Sequence, residues 1–130
     1  MVRTCCLAGI ASDDVAILTG ALRAADAPAL AGIAPLRPVE IARLRPDLCI
    51  CDLDVVETDA LELLRQLRFV LPTSLIAVYT GRLERTWAFD CHLAGANAVL
   101  LKESHLDRLT SGLRGVITSG CYTDPRFAAA

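Results

Sequence analysis

At 130 residues, with 13 Lys and Arg against 15 Asp and Glu, the chain has the length of one domain and a net charge of −2. No basic cluster stands out, which argues against gripping nucleic acid by its phosphates. Apolar residues make up 54%, yet no run approaches the ~18 uncharged apolar residues that span a bilayer, and Met1-Val2-Arg3 reads as a lead into a first strand rather than as a signal peptide.

Six cysteines invite a disulfide or zinc reading. Their arrangement (Cys5-Cys6, Cys49-x-Cys51, Cys91, Cys121) contains no C-x-x-C and no paired histidines at zinc-finger spacing. They are expected to be free core thiols in a reducing cytoplasm, with no structural metal.

Taken in order, Thr4 to Ser12 is an apolar run that delivers Asp13 and Asp14 to the end of a first strand. From Val15 the period becomes helical, through Ile17, Leu18, Ala21, Leu22 and Ala25, and Asp14 or its neighbour is a fair N-cap. The bland reading of this acid pair is capping alone. Pro28 follows the helix. Ala29 to Ala34 suits an edge strand, and Pro38 opens a short helix through Leu44. Leu48 to Cys51 is a central apolar strand that stops on Asp52, with Asp54 two residues beyond.

Asp59-x-x-Glu62 resembles a capping pair for a helix carrying Leu61, Leu64 and Leu67, which Pro72 stops. Ser74 to Tyr79 is a strand ending in Thr80-Gly81. Arg82 to Ala94 is a helix with Leu83, Trp87, Cys91 and Ala94 on one stripe, ended by Gly95. Phe89 and His92 are expected on its exposed side, where they would mark a partner surface. Asn97 to Leu101 is a fifth strand stopping on Lys102. Ser104-x-x-Asp107 resembles a capping box for a last helix with Leu106, Leu109, Leu113, Val116 and Ile117 inward, and His105 reads as a surface residue.

The β-α alternation with apolar strands predicts an α/β fold, one doubly wound parallel sheet with helices on both faces. Strand ends then gather Asp13, Asp14, Asp52, Thr80 and Lys102 at one edge of the sheet. Clustered carboxylates repel one another unless a cation neutralises them. Their hard oxygens suit Mg²⁺, Lys102 offers a point charge for an anion, and Thr80 a hydroxyl. Such a site would hold a phosphoryl group and place it on a carboxylate. Taken alone, Asp52 is equally an aspartate that ends a strand.

These residues resemble the response-regulator receiver domain of bacterial two-component signalling, of the type that precedes a helix-turn-helix DNA-binding domain. The resemblance rests on Asp13-Asp14, Pro46-Asp47-Leu48 leading to Asp52, Tyr79-Thr80-Gly81, the run Gly95 to Lys102, and the tail Gly115 to Pro125. It implies a flavodoxin-like fold of five parallel strands in order 2-1-3-4-5. It also implies Asp52 as phosphoacceptor, Thr80 and Lys102 as contacts to the phosphoryl group, and Mg²⁺ held by Asp13, Asp14, Asp52 and the backbone carbonyl of Asp54.

The implied partners are a sensor histidine kinase and a second copy in a homodimer. DNA would be met only through an output domain that this chain lacks, and no membrane is involved. The role is that of a signalling module rather than an enzyme, a single domain over residues 1–130 with 120–130 as the start of a linker. Arg82 and Asp54 would pair across the pocket mouth.

Two departures favour an alternative, a pseudo-receiver working without phosphorylation. No proline follows Asp52 near Val56-Glu57, and the switch position on strand five, usually aromatic in the family, is Val99. A small flavodoxin-like cofactor binder is a third class, disfavoured because no Gly-rich phosphate loop follows the first strand. In this strand order Cys5-Cys6 and Cys49-Cys51 lie on neighbouring strands. Their distances from Asp13 and Asp52 imply an offset of ~15 Å along the strands at ~3.3 Å per residue, too far for a disulfide.

Overall fold

The computed structural model describes residues 2–26, 29–56 and 59–130; Pro28 and Glu57, used above as sequence markers, lie outside them. Within them the chain forms β1 (Thr4–Ala8), α1 (Ser12–Ala24), β2 (Ala29–Ala34), α2 (Pro38–Arg43), β3 (Leu48–Cys51) and α3 (Ala60–Val70). There follow β4 (Leu75–Thr80), α4 (Arg85–Ala94), β5 (Ala98–Leu101), α5 (Leu106–Ser119), β6 (Tyr122–Thr123) and a 3-10 turn over Pro125–Ala129. The sheet is parallel throughout and runs β2-β1-β3-β4-β5-β6. The five-strand order expected from sequence is present, extended by β6 beside β5. Two residues of strand in a polar tail carry too little pattern to be read locally.

Alternation along each strand splits the core into two layers. Cys5, Leu7, Ile50, Ala77, Tyr79, Ala98 and Leu100 face α1 and α5, against Leu18, Leu22, Leu109, Leu113 and Val116. Cys6, Ala8, Cys49, Cys51, Val78 and Leu101 face α2, α3 and α4, against Ile41, Leu64, Leu67, Trp87 and Cys91. Both faces of every central strand are therefore apolar, which is why the chain is so rich in apolar residues.

The edges of the elements differ from the sequence reading in instructive ways. β1 ends at Ala8, where Gly9 turns the chain at φ +65° beneath Leu36. Asp13 and Asp14 consequently sit in the first turn of α1, and Ala11 is the N-cap with no side-chain bond. That shortening also corrects the cysteine offset: Cys6 lies opposite Cys49, and Ala8 opposite Cys51. All six cysteines are nonetheless free thiols.

Asp59 caps α3 as expected, accepting from the Glu62 backbone N–H at 3.0 Å. The Ser104 box does not form. His105 is the N-cap of α5, and the Ser104 hydroxyl donates instead to the Leu101 carbonyl at 2.6 Å. Leu106 and Leu83 are half exposed rather than inward, because α5 and α4 begin later than their apolar stripes suggest. Phe89 is exposed, but His92 is not a free surface group: its ring bonds the Ala96 carbonyl at 2.9 Å and the Thr123 hydroxyl at 2.6 Å, tying α4 to β6.

Candidate functional site

β3, β4 and β5 end side by side, and each hands one polar residue to the same edge. Asp52 follows β3 and is 2% exposed; Thr80 closes β4 and is fully buried. Lys102 follows β5, with its backbone N–H donating to the Thr80 carbonyl at 2.8 Å. The next residue, Glu103, adopts φ +60°, a left-handed conformation uncommon outside glycine and one that recurs where chains are held for function.

The side chains then close on one another. Lys102 Nζ stands 2.6 Å from Asp52 Oδ2 and 3.1 Å from Asp54 Oδ2. The Asp54 backbone N–H donates to Asp52 Oδ1 at 2.9 Å. Asp54 itself turns inward: its Oδ1 accepts from the Thr80 hydroxyl at 2.6 Å and its Oδ2 from the Gly81 N–H at 2.7 Å. Burial pushes the Asp54 carboxyl up, but the Gly81 N–H, the Thr80 hydroxyl and Lys102 outweigh it and hold the group below its usual range. Burial likewise works against the charge on Lys102, and the two aspartates prevail and raise it.

Of the residues expected at the site, Asp52, Thr80, Lys102 and Asp54 are in mutual contact. Asp14 is joined to the cluster's edge through the Tyr79 hydroxyl, which donates to its Oδ1 at 3.1 Å. Burial, then the Asp14 charge, raise the Tyr79 phenol. Asp13 is exposed. An open pocket of about 510 Å³ is lined by Asp14, Gly81, Lys102 and Glu103, with Arg126 from the tail. Among the described residues no group of three or more His, Cys, Asp or Glu side chains is arranged to hold a metal ion. Mg²⁺, however, needs only one or two protein carboxylates and keeps several waters. The hard oxygens of Asp14 and Asp52 fit it by donor type.

The expected pairing of Arg82 with Asp54 is not formed. Arg82 instead meets Glu84 at 3.2 Å and stacks over the Trp87 ring at 4.0 Å, while the shorter bonds to Thr80 and Gly81 hold Asp54 inward. Trp87 was legible only as a core residue. Its indole N–H donates to the Thr80 hydroxyl at 3.1 Å, a role that depends on where α4 starts. The inward carboxylate of Asp54 was equally hidden, since the expectation placed its carbonyl beside the metal and its side chain at the pocket mouth with Arg82, whereas its oxygens take the Thr80 hydroxyl and the Gly81 N–H.

No family model matches the chain. By sequence it is 34% identical over 100 residues to the transcriptional regulatory protein UhpA of Escherichia coli, covering 77% of this chain and 45% of that protein, and equally to UhpA of Salmonella typhimurium. By structure it superposes on the isolated REC domain of RcsB from Salmonella enterica serovar Typhimurium with TM-score 0.82 at 13% identity, covering 99% and 98% of the two chains. A response regulator from Thermotoga maritima superposes at TM-score 0.76 with 22% identity, over 92% of this chain and all of that one. The chain has the fold of response-regulator receiver domains and is similar in sequence to a transcriptional regulatory protein. It spans about half the length of the curated relatives it matches. Among its described residues no helix is long and apolar enough to cross a membrane.

Proposed function

We propose that the receiver accepts a phosphoryl group on Asp52, donated by a sensor histidine kinase, and passes the change to an output that governs transcription. The observation that carries this reading is the buried Asp52 carboxylate at the end of the central strand, with the Lys102 ammonium 2.6 Å away and the Thr80 hydroxyl in the same cluster. In the reaction one Asp52 oxygen attacks phosphorus. The bond from phosphorus to the donor's imidazole nitrogen breaks, and the nitrogen keeps the electron pair and takes up a proton. Lys102 and Thr80 are the groups available to balance the transferred oxygens' charge.

Mg²⁺ is part of the proposal. Asp14 and Asp52 would hold it, with Asp13 and the Asp54 carbonyl as further donors, and it would screen phosphoryl oxygens from the carboxylates. The kinase, the homodimer and DNA contact through a separate output domain are proposed because the curated relatives are transcriptional regulatory proteins longer than this chain. A cytoplasmic location is proposed on the same ground. Nothing in the comparisons favours the phosphorylation-independent alternative.

The test is intact mass after incubation with acetyl phosphate and Mg²⁺. One phosphoryl adduct on the wild type, absent from Asp52→Asn and from the metal-free sample, is the expected result. An adduct that persists in Asp52→Asn would sink the assignment.

A further inference from the structure

Thr80 and Gly81 both aim at one acceptor, the side chain of Asp54, which also shares the Lys102 ammonium with Asp52. The two Asp54 oxygens take the Thr80 hydroxyl at 2.6 Å, the Gly81 N–H at 2.7 Å and the Lys102 ammonium at 3.1 Å. A hydroxyl has one proton and two lone pairs. Thr80 accepts from the Arg82 N–H and from the Trp87 indole N–H, each at 3.1 Å, so both lone pairs are used and its proton is committed to Asp54. The Thr80 hydroxyl therefore has nothing left to offer a phosphoryl oxygen while Asp54 stays in place.

We propose that the Asp54 carboxylate is a built-in occupant of the phosphoryl site, holding Thr80 and Lys102 engaged before any phosphoryl group arrives. Phosphorylation of Asp52 then begins with the expulsion of Asp54. This rests on the phosphoacceptor reading and goes beyond it by naming what a phosphoryl group must displace. The Asp54 backbone can stay where it is, bonded to Asp52 Oδ1, and rotation of the side chain frees the Thr80 hydroxyl and the Gly81 N–H and releases Lys102 from one of its two carboxylates. Charge favours the exchange only in part, because the expelled carboxylate leaves Lys102 to the incoming oxygens but remains close to them. The resting domain consequently resists phosphoryl groups, and its Thr80–Trp87 bond is already in place.

Trp87 is the chain's one tryptophan and bonds Thr80 directly, so its fluorescence reports on the site. The experiment titrates beryllofluoride, in Mg²⁺ buffer, into the wild type, Asp54→Ala, Asp54→Asn and Glu103→Gln, with circular dichroism on each. Glu103 lines the pocket beside Lys102 and Gly81, and its replacement removes an equal charge without freeing the donors that Asp54 holds. Asp54→Ala should bind about tenfold or more tightly than wild type, the factor carried by ~1.4 kcal/mol. Asp54→Asn keeps an acceptor for Thr80 and should fall between; Glu103→Gln should gain little. Equal affinity in wild type and both Asp54 variants, or an equal gain in Glu103→Gln, overturns the occupant while leaving the phosphoacceptor reading intact. Failure of every folded protein to bind overturns both.

Discussion

Lys102 pairs with two carboxylates at once, and one of them, Asp52, is almost wholly buried. Removing one partner of such a cluster leaves the others desolvated and unpaired, which costs more than the bonds themselves contribute. Lys102→Ala should therefore lower unfolding stability by about 1–3 kcal/mol, read from denaturant midpoints at neutral pH; a change within ~0.5 kcal/mol, typical of plain surface sites, would contradict the geometry. The cysteines give a second test at this scale. Burial pushes the Cys5 thiol up to about 12 and raises Cys51 and Cys91 as well, whereas Cys121 is exposed. Under native conditions a thiol reagent should modify Cys121 alone and rapidly, the rest reacting only on unfolding. Rapid labelling of a second thiol would show that the core opens.

α4 and the turn before it decide how the site is held. Trp87 packs into the core with Cys91 and at the same time reaches Thr80. Trp87→Phe should keep most of the packing and lose the hydrogen bond, lowering stability by about 1 kcal/mol and loosening Thr80. The C-terminus of α4 depends on Gly95, at φ +123°, where a Cβ would stand 2.8 Å from the Arg68 Cβ. Arg68 is fixed there by bonds to the carbonyls of Leu71, Ser74 and Gly95 and to the Asn97 side chain. Gly95→Ala should cost about 1–3 kcal/mol in thermal or chemical unfolding. A neutral result would mean that α3 and α4 yield easily.

Across the whole molecule, the tail is fastened to the sheet rather than merely trailing from it. Phe127 is buried in the same layer as Trp87 and Leu101. Asp124 is buried too, bonded by the Arg126 backbone N–H at 2.9 Å and its guanidinium at 2.8 Å, with Arg108 at 3.8 Å. Arg126 also bonds Ser104, two residues beyond Lys102. Burial would raise the Asp124 carboxyl, but the Arg126 side chain and backbone and the Arg108 charge reverse it and set it below its ordinary value. A carboxyl lowered by folding contributes stability that is fully present above its unfolded value of about 3.9 and is lost as pH falls through the lower folded value. Acid unfolding of the wild type should therefore steepen below about pH 4, and Asp124→Asn should flatten that limb. Identical acid limbs would show that the tail's ion pairs contribute nothing.

The sequence by itself determined the layered parallel sheet and the polar residues that end its central strands, from local periodicity and from the rule that parallel strands end on one side. The strand order came only from the family resemblance. Asp52, Thr80 and Lys102 were readable because each directly ends an apolar run. Strand register, the start of each helix and the direction of a side chain are set by contacts between distant segments, and only the tertiary structure decided them. Hence Cys6 met Cys49, Asp13 moved onto the first turn of α1, and β6 joined the edge of the sheet. The inward turn of Asp54 belongs to the same class. A carboxylate two residues past a strand faces either water or the pocket, and the choice rests on the Gly81 N–H, the Thr80 hydroxyl and Lys102, donors brought from two other strands.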